Sequence, residues 1–161
     1  MATTTSGNSY ARTEAHAMSA ADWGLLFLRI GLGIVFVAHG SQKVFGWFGG
    51  PGLAGTVGFM GQMGIPVPLA YIAAFTELLG GLGVLLGVLT RTAALGLAIT
   101  MLVAIFTVHL PHGFFADKQG FEYPFALLMI ALALIATGPG HFSLGDWEPT
   151  WFRRGSVPPT A

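Results

Sequence analysis

The stretch AFTELLGGLGVLLGVLTR, residues 74–91, decides the fold because it is apolar enough and nearly long enough to cross a lipid bilayer as a helix. Within it, Glu77 is the only charged residue between positions 44 and 90. An ionised side chain inside a bilayer is costly, so it needs a partner or a function. The stretch therefore predicts a membrane helix that carries a candidate functional residue at Glu77.

The composition of the whole chain is typical of an integral membrane protein. Of the 161 residues, 53% are hydrophobic and 9% are charged, whereas a soluble domain carries roughly 25% charged residues. Seven Lys and Arg balance seven Asp and Glu, which excludes the basic footprint of a nucleic-acid-binding protein. Because the chain has no cysteine, disulfides, thiolate metal ligands and thiol catalysis are excluded as well.

Four apolar segments predict an all-α integral membrane four-helix bundle. A spanning helix needs about 20 mostly apolar residues, and Asp22 is the predicted N-cap of the first segment. The four predicted spans are residues 22–44, 68–89, 92–110 and 123–137.

The segment between the first two spans, residues 46–64, is rich in glycine and carries Met and Phe side chains. This pattern predicts a short segment that lies at the membrane interface. We expect three regions along the chain: a polar tail at 1–21, the transmembrane domain at 22–147 and a second polar tail at 148–161.

An even number of spans places both termini on one side of the membrane. Excess Lys and Arg mark the cytoplasmic side, so the side with more cations is predicted to be cytoplasmic. Arg12, Arg91, Arg153 and Arg154 share the side of the termini, and Lys43 and Lys118 share the other. The sequence therefore predicts a multi-pass protein with the lipid bilayer around it and both termini in the cytoplasm.

Arg29 and Glu77 are both ionisable residues inside the predicted spans, and such residues are functional candidates by default. One interpretation is a buried Arg29–Glu77 ion pair that fixes helix packing. The opposite tilt of side chains on antiparallel helices argues against such a contact. An unpaired Glu77 would instead be a neutral acid that donates to Thr100 or to a bound ligand.

Small residues on the first two spans predict close helix packing. Glycine lets helix backbones approach each other in lipid, where no hydrophobic force drives them together. The stripe that carries Arg29 also carries glycines, which places Arg29 on a packing face. The predicted packing glycines are Gly33, Gly40, Gly80 and Gly81.

A second set of polar residues closes the first and third spans on the non-cytoplasmic side: His39, Lys43, His109 and His112. Histidines with nearby carboxylates can bind a metal or relay protons, but no metal-binding motif accompanies these residues. A quinone head group is an alternative ligand, because polar donors stand here beside an apolar wall. The bland interpretation is that the histidines only form hydrogen bonds at the interface.

Several short motifs in order along the chain resemble the DoxX family of small four-helix bacterial membrane proteins. The motifs are LRIGLG at 28–33, AHGSQK at 38–43, TELLGGLGVLLGVLTR at 76–91, Val108 with His109, and GPGHFSLGDW at 138–147. The resemblance covers about residues 22–147. It implies a location in the bacterial cytoplasmic membrane and makes Arg29, His39, Lys43, Glu77 and His109 family-pattern positions.

The same resemblance implies a membrane oxidoreductase component that interacts with quinone. The sequence shows no motif for flavin, haem or iron–sulfur binding, so such a role requires a soluble or membrane redox partner, or quinone as the only cofactor. Two alternatives remain open. One is a non-catalytic assembly subunit, and the other is a small-solute or proton carrier that uses Glu77 as a homo-oligomer.

Overall fold

Helices dominate the computed structural model, which describes residues 19–145, 147–149 and 151–152, and these ranges contain no β-strand. The helices are α1 (Ala20–Phe45), α2 (Gly52–Gln62), α3 (Val67–Leu86), α4 (Thr90–Ala104) and α5 (Glu122–Thr137). The prediction of an all-α chain is confirmed. Residues 1–18 and 153–161, which hold most of the two predicted tails and three of the arginines used for topology, lie outside the described residues.

Three helical segments have the length and hydropathy of membrane spans: Ala20–Phe45, Val67–Leu86 and Thr90–His112. The fourth apolar helix, α5, has 16 residues, which gives it a length of about 24 Å, short of a hydrocarbon core of about 30 Å. Large apolar side chains point outward, as shown by the exposed fractions of Phe27 (65%), Leu79 (61%) and Phe106 (65%). Acyl chains rather than water suit such a surface, so the chain is a membrane protein.

The N-cap of α1 lies three residues before the predicted one. Ser19 is the N-cap; its side chain accepts a hydrogen bond from the backbone N–H of Asp22, and the Asp22 carboxylate accepts one from the Ser19 backbone N–H. This is a capping box, in which two otherwise unpaired backbone donors are satisfied together. The prediction that Asp22 is the N-cap is therefore wrong by one helical turn, because Asp22 occupies the third helical position.

The helices α1 and α3 run antiparallel and touch through glycines. A Cβ atom on Gly40 would lie 2.5 Å from the Cα atom of Leu78, and one on Gly81 would lie 2.8 Å from the backbone nitrogen of Val37. A Cβ on Gly33 would lie 2.7 Å from the Cβ of Leu85. These distances are too short for any side chain, so the two backbones approach as closely as they do only because these positions are glycine.

The helices α4 and α5 supply most of the apolar core behind this contact. Buried side chains of α4, such as Leu97 and Met101, pack with Leu127 and Leu134 of α5 and with Phe36 of α1. A Cβ on Gly80 would lie 3.0 Å from Cδ2 of Leu97, which brings α3 close to α4 as well. Arg29 of α1 and Glu77 of α3 are thereby buried between the helices.

The chain after α5 folds back over the end of the bundle where α1 begins. The backbone N–H of His141 donates to Oδ1 of Asp22 at 3.1 Å, and that of Leu144 donates to the carbonyl of Leu86 at 3.2 Å. The side chain of Glu148 is buried, and it accepts hydrogen bonds from the backbone N–H of Arg91 and from Oγ1 of Thr92. Glu148, the first residue of the predicted second tail, thus caps the start of α4 although it lies far from α4 in the sequence.

Candidate functional site

The ionic partner of Glu77 is Lys43. The Lys43 ammonium contacts both carboxylate oxygens of Glu77, and it stands in the last turn of α1, where the helix dipole favours a cation. The side chain of Glu77 is 2% exposed, and that of Lys43 is 27% exposed. The pair therefore joins a deeply buried anion to a cation that reaches the edge of the bundle.

Arg29 does not pair with Glu77, and the interpretation of these two residues as an ion pair is wrong. Antiparallel packing places Arg29 beside the end of α3, seven residues, or about 10 Å, beyond Glu77. There the guanidinium donates to four backbone carbonyls: Val84 at 2.9 Å, Leu85 at 3.1 Å, Pro139 at 2.9 Å and Phe142 at 2.6 Å. Two of these carbonyls belong to the last turn of α3, where the helix leaves backbone acceptors without their regular partner; that of Val84 also accepts from the backbone N–H of Gly87 at 3.3 Å.

A cavity of about 230 Å³ opens beside the Lys43–Glu77 pair. We call it the polar pocket. Its polar lining comes from four elements: His39 and Lys43 from α1, Glu77 from α3, His109 from the end of the α4 span, and Tyr123 from α5. Its apolar lining consists of Val35, Phe36, Met101, Ala104, Pro124 and Leu127. Side chains that are far apart in sequence thus converge at one site in the membrane domain.

His109 reaches the polar pocket from an irregular part of the α4 span. The α-helix gives way to a π-helical turn at Ile105–His109 and a 3₁₀ turn at Leu110–His112. Pro111 cannot donate a backbone hydrogen bond and so ends regular helix geometry here. Single π-helical turns are frequent at functional sites, because they re-aim side chains.

Three of the predicted polar residues lie elsewhere. Arg29 is at the opposite end of the α1–α3 contact, as described above. Thr100 donates to the carbonyl of Gly96, one turn back in its own helix, at 3.0 Å. His112 is exposed, and its Nδ1 lies 3.0 Å from the carbonyl of Val108. Within the described residues, no three His, Asp or Glu side chains are placed to hold a metal ion.

Tyr123 is the pocket residue that sequence reasoning missed. The sequence pattern marks Tyr123 only as the start of the fourth predicted span. A phenol at the first turn of a membrane helix is nevertheless a polar group on an apolar element. Its hydroxyl both donates and accepts hydrogen bonds. The signal was present in the sequence, but the position of α5 beside His109 depends on tertiary packing.

The polar pocket retains unused hydrogen-bonding capacity. A lysine ammonium has three N–H donors, of which the Glu77 contacts use two. A carboxylate offers about four acceptor positions, so Glu77 can also accept from a further group. The arrangement can therefore bind a ligand that carries oxygen atoms on an apolar ring or chain.

A larger apolar groove of about 570 Å³ lies between α3 and α4 on the outer surface. Its lining includes Ile72, Phe75, Leu79 and Leu89, and the only hydroxyls on it are those of Thr76 and Thr92. It has neither charged residues nor histidines, so it offers no chemistry beyond contact with apolar chains.

Comparison with known proteins agrees with the motif resemblance. The DoxX family model matches residues 24–110. The chain is 36% identical over 134 residues to "Putative oxidoreductase CatD" of Bacillus subtilis (strain 168), a match that covers 83% of this chain and 93% of that protein. It is 35% identical over 126 residues to "Inner membrane protein YqjF" of Escherichia coli (strain K12), covering 76% of this chain and 90% of the relative.

No solved structure shows a significant match to the chain. The family assignment rests instead on the family model, which covers more than half of the chain, and on two relatives matched over most of their length. The resemblance inferred from the sequence motifs is confirmed, and the chain belongs to the DoxX family.

Proposed function

We propose that this protein is a component of a membrane oxidoreductase and that the polar pocket binds the head group of a quinone. The observation that carries the proposal is the convergence of Lys43, Glu77, His39, His109 and Tyr123 on one cavity within a membrane protein. Ligand sites typically join an apolar lining to a few well-placed polar groups. The name of the Bacillus relative, "Putative oxidoreductase CatD", supports the same class of reaction.

The size of the polar pocket suits a single substituted ring. A protein cavity of about 150 Å³ is large enough to bind benzene, and the polar pocket measures about 230 Å³. Lys43 and Tyr123 would hold the oxygen atoms of the ring as hydrogen-bond donors, and the apolar lining from α1, α4 and α5 would contact its carbon atoms. A bound quinone supplies two-electron redox chemistry coupled to protons.

The residues of the chain itself then bind the ring and handle protons. The Lys43–Glu77 pair is a donor and an acceptor in one unit, and Lys43 is partly exposed, so the pair connects the buried end of the polar pocket with the surface of the bundle. The chain has no cysteine and hence no redox-active thiol. We therefore propose that electrons are exchanged with a separate redox protein, soluble or in the membrane.

Titration of a short-tailed benzoquinone into the purified protein in lipid nanodiscs tests the proposal. We expect saturable binding that weakens at least tenfold in Lys43→Met, because the ring oxygen loses a charged donor. Thr76→Val, in the apolar groove between α3 and α4, is the matched control and should bind like the wild type. Absence of saturable binding, or equal affinity in Lys43→Met, would contradict a quinone site; recovery of a stoichiometric partner in mild detergent would then favour the assembly-subunit role.

We further propose that both termini lie in the cytoplasm, with Lys43 and Lys118 near the opposite side. The greater number of arginines on the side of the termini supports this orientation. Because the chain lacks cysteine, a single cysteine introduced at Lys118 can be labelled without background. A membrane-impermeant thiol reagent applied to whole cells should label Lys118→Cys, and failure to label it until the cells are broken would reverse the orientation.

A further inference from the structure

The loop after His112 is built to present one backbone carbonyl to His109. Gln119 has a left-handed backbone conformation (φ 63°), which is uncommon for a residue with a side chain. Its carbonyl oxygen lies 2.7 Å from Nδ1 of His109. A Cβ on the next residue, Gly120, would lie 2.4 Å from the carbonyl oxygen of Gly113, so the loop closes on itself tightly and holds this geometry.

The contact with Gln119 fixes which ring nitrogen of His109 carries a proton. A backbone carbonyl can only accept a hydrogen bond, so Nδ1 of His109 must carry the donated hydrogen. In a neutral imidazole the other nitrogen, Nε2, then has none and acts as an acceptor. His109 also lines the polar pocket. A ligand there that reaches Nε2 of neutral His109 meets an acceptor rather than a donor.

We propose that His109 makes the polar pocket distinguish a quinol from a quinone, an inference that rests on the proposed quinone site. A quinol hydroxyl can donate to the free Nε2 of neutral His109. A quinone carbonyl is an acceptor only, so it faces a second acceptor unless His109 gains a proton and Nε2 becomes a donor. Quinone binding is therefore linked to uptake of one proton by His109, whereas quinol binding is not.

The pH dependence follows with a definite sign. Because quinone binds together with a proton, quinone affinity is higher at low pH and falls as pH rises. A quinol hydroxyl can donate or accept, so quinol affinity changes little. The other titratable or charged groups on the surrounding elements are His39, Lys43, Glu77 and Tyr123 around the polar pocket and His112, Asp117, Lys118 and Glu122 beside the loop.

Titration of a short-tailed benzoquinone and the matching benzoquinol tests this inference at about pH 5.5 and about pH 8.5, which bracket the usual charge change of imidazoles. We expect quinone affinity to fall roughly tenfold across this range, because the quinone carbonyl loses the Nε2–H donor of His109. Quinol affinity should stay nearly constant. In His109→Gln, whose amide donates at any pH, the dependence should disappear. His112→Gln, outside the polar pocket, should keep the pH dependence of quinone affinity. His39→Gln should also keep this pH dependence, even if its quinone affinity is lower.

The outcomes separate this inference from the proposed function. Binding of neither probe overturns the quinone site itself. Binding of both probes with the same pH dependence, or loss of the dependence in His39→Gln rather than in His109→Gln, overturns the role of His109 and leaves the quinone site standing. Independently of any ligand, ¹⁵N NMR of histidine-labelled protein should show neutral His109 protonated at Nδ1; protonation at Nε2 would overturn the inference even if no variant folds.

Discussion

The buried charges at the two ends of the α1–α3 contact differ in how fully their hydrogen-bonding groups are used. At one end, the Arg29 guanidinium donates to four backbone carbonyls from two segments of the chain. At the other end, the Lys43–Glu77 pair stands at the edge of a cavity and keeps unused donors and acceptors. Both are ionisable groups in a membrane helix, and residue type alone does not separate them.

Unused hydrogen-bond donors and acceptors beside a cavity distinguish the candidate site, whereas burial of charge does not. Arg29 is 1% exposed and Glu77 is 2% exposed, so burial ranks them equally. The donors of Arg29 are directed at the last turn of α3 and at the chain after α5, which ties these segments to α1. We therefore assign Arg29 a structural role and propose the Lys43–Glu77 pair as the functional one.

Removal of Arg29 should give the largest loss of stability. Arg29→Leu removes the guanidinium donors from four buried or partly buried carbonyls, of which that of Val84 keeps a 3.3 Å bond from the backbone N–H of Gly87. We expect a loss of about 4 kcal/mol in the free energy of unfolding. Arg29→Lys should recover only part of it, since a compact ammonium cannot reproduce the planar fork of a guanidinium. Thermal unfolding in detergent measures both variants.

Thermal unfolding of a double variant tests whether the charges of Arg29 and Glu77 are coupled. Because Glu77 pairs with Lys43 and not with Arg29, Arg29→Leu combined with Glu77→Leu should be no more stable than Arg29→Leu alone. Recovery of stability in this double variant would mean that the two charges are coupled after all, and it would remove the distinction between the two ends.

Removal of Lys43 should have the next largest effect on stability. Lys43→Met leaves the Glu77 carboxylate buried without a cation, which costs about 3 kcal/mol. Lys43→Met with Glu77→Leu should regain most of that stability, because an apolar pair of similar size replaces the charges. The double variant should still bind a quinone at least tenfold more weakly than the wild type, because the charged donor is missing. Binding at wild-type affinity would show that the pair has only a structural role.

A methyl group at the α1–α3 contact should have a moderate effect. Gly40→Ala places a Cβ 2.5 Å from the Cα atom of Leu78, the residue next to Glu77, and overpacking of this kind costs about 2 kcal/mol. Gly31→Ala is the matched control on the same helix, since a Cβ there meets nothing within 4 Å. Equal unfolding temperatures for the two variants would refute the close approach of the backbones beside the polar pocket.

The smallest expected effect concerns the end of the bundle near Arg29. Glu148→Gln weakens the cap that Glu148 forms on the backbone N–H of Arg91, and loss of a cap or of a charge at a helix start costs about 1 kcal/mol. Quinone affinity should not change, because Glu148 does not line the polar pocket. A change in affinity without a change in unfolding temperature would contradict the assignment of this end to structure alone.

The helical class and the location of the spans could be predicted from the sequence because apolar runs of sufficient length admit few other structures in lipid. The convergence of His39, Lys43, Glu77 and His109 could only be suggested. Lys43 is 34 positions from Glu77 in sequence, and nothing local indicates which cation faces Glu77. The antiparallel register of α1 and α3, set by Gly33, Gly40 and Gly81, decides in favour of Lys43.

The contacts that sequence reasoning missed depend on the chain after the helices. The carbonyls of Pro139 and Phe142 that bind Arg29, the carboxylate of Glu148 and the carbonyl of Gln119 all lie in loops or in the C-terminal segment. Backbone carbonyls carry no sequence signal, because every residue has one. Their role depends on the path of the chain, and that path is fixed only once the helices have packed.

Photolabelling with a quinone that carries a photoreactive group on its ring tests whether the polar pocket binds a quinone. The protein is labelled in native membranes and digested, and the modified residues are identified by mass spectrometry. We expect labels on the polar pocket, at Val35, Met101 or Leu127, and we expect an excess of unlabelled quinone to prevent them. Labels confined to the apolar groove at Phe75 or Leu89, or labels that excess quinone does not displace, would contradict the claim.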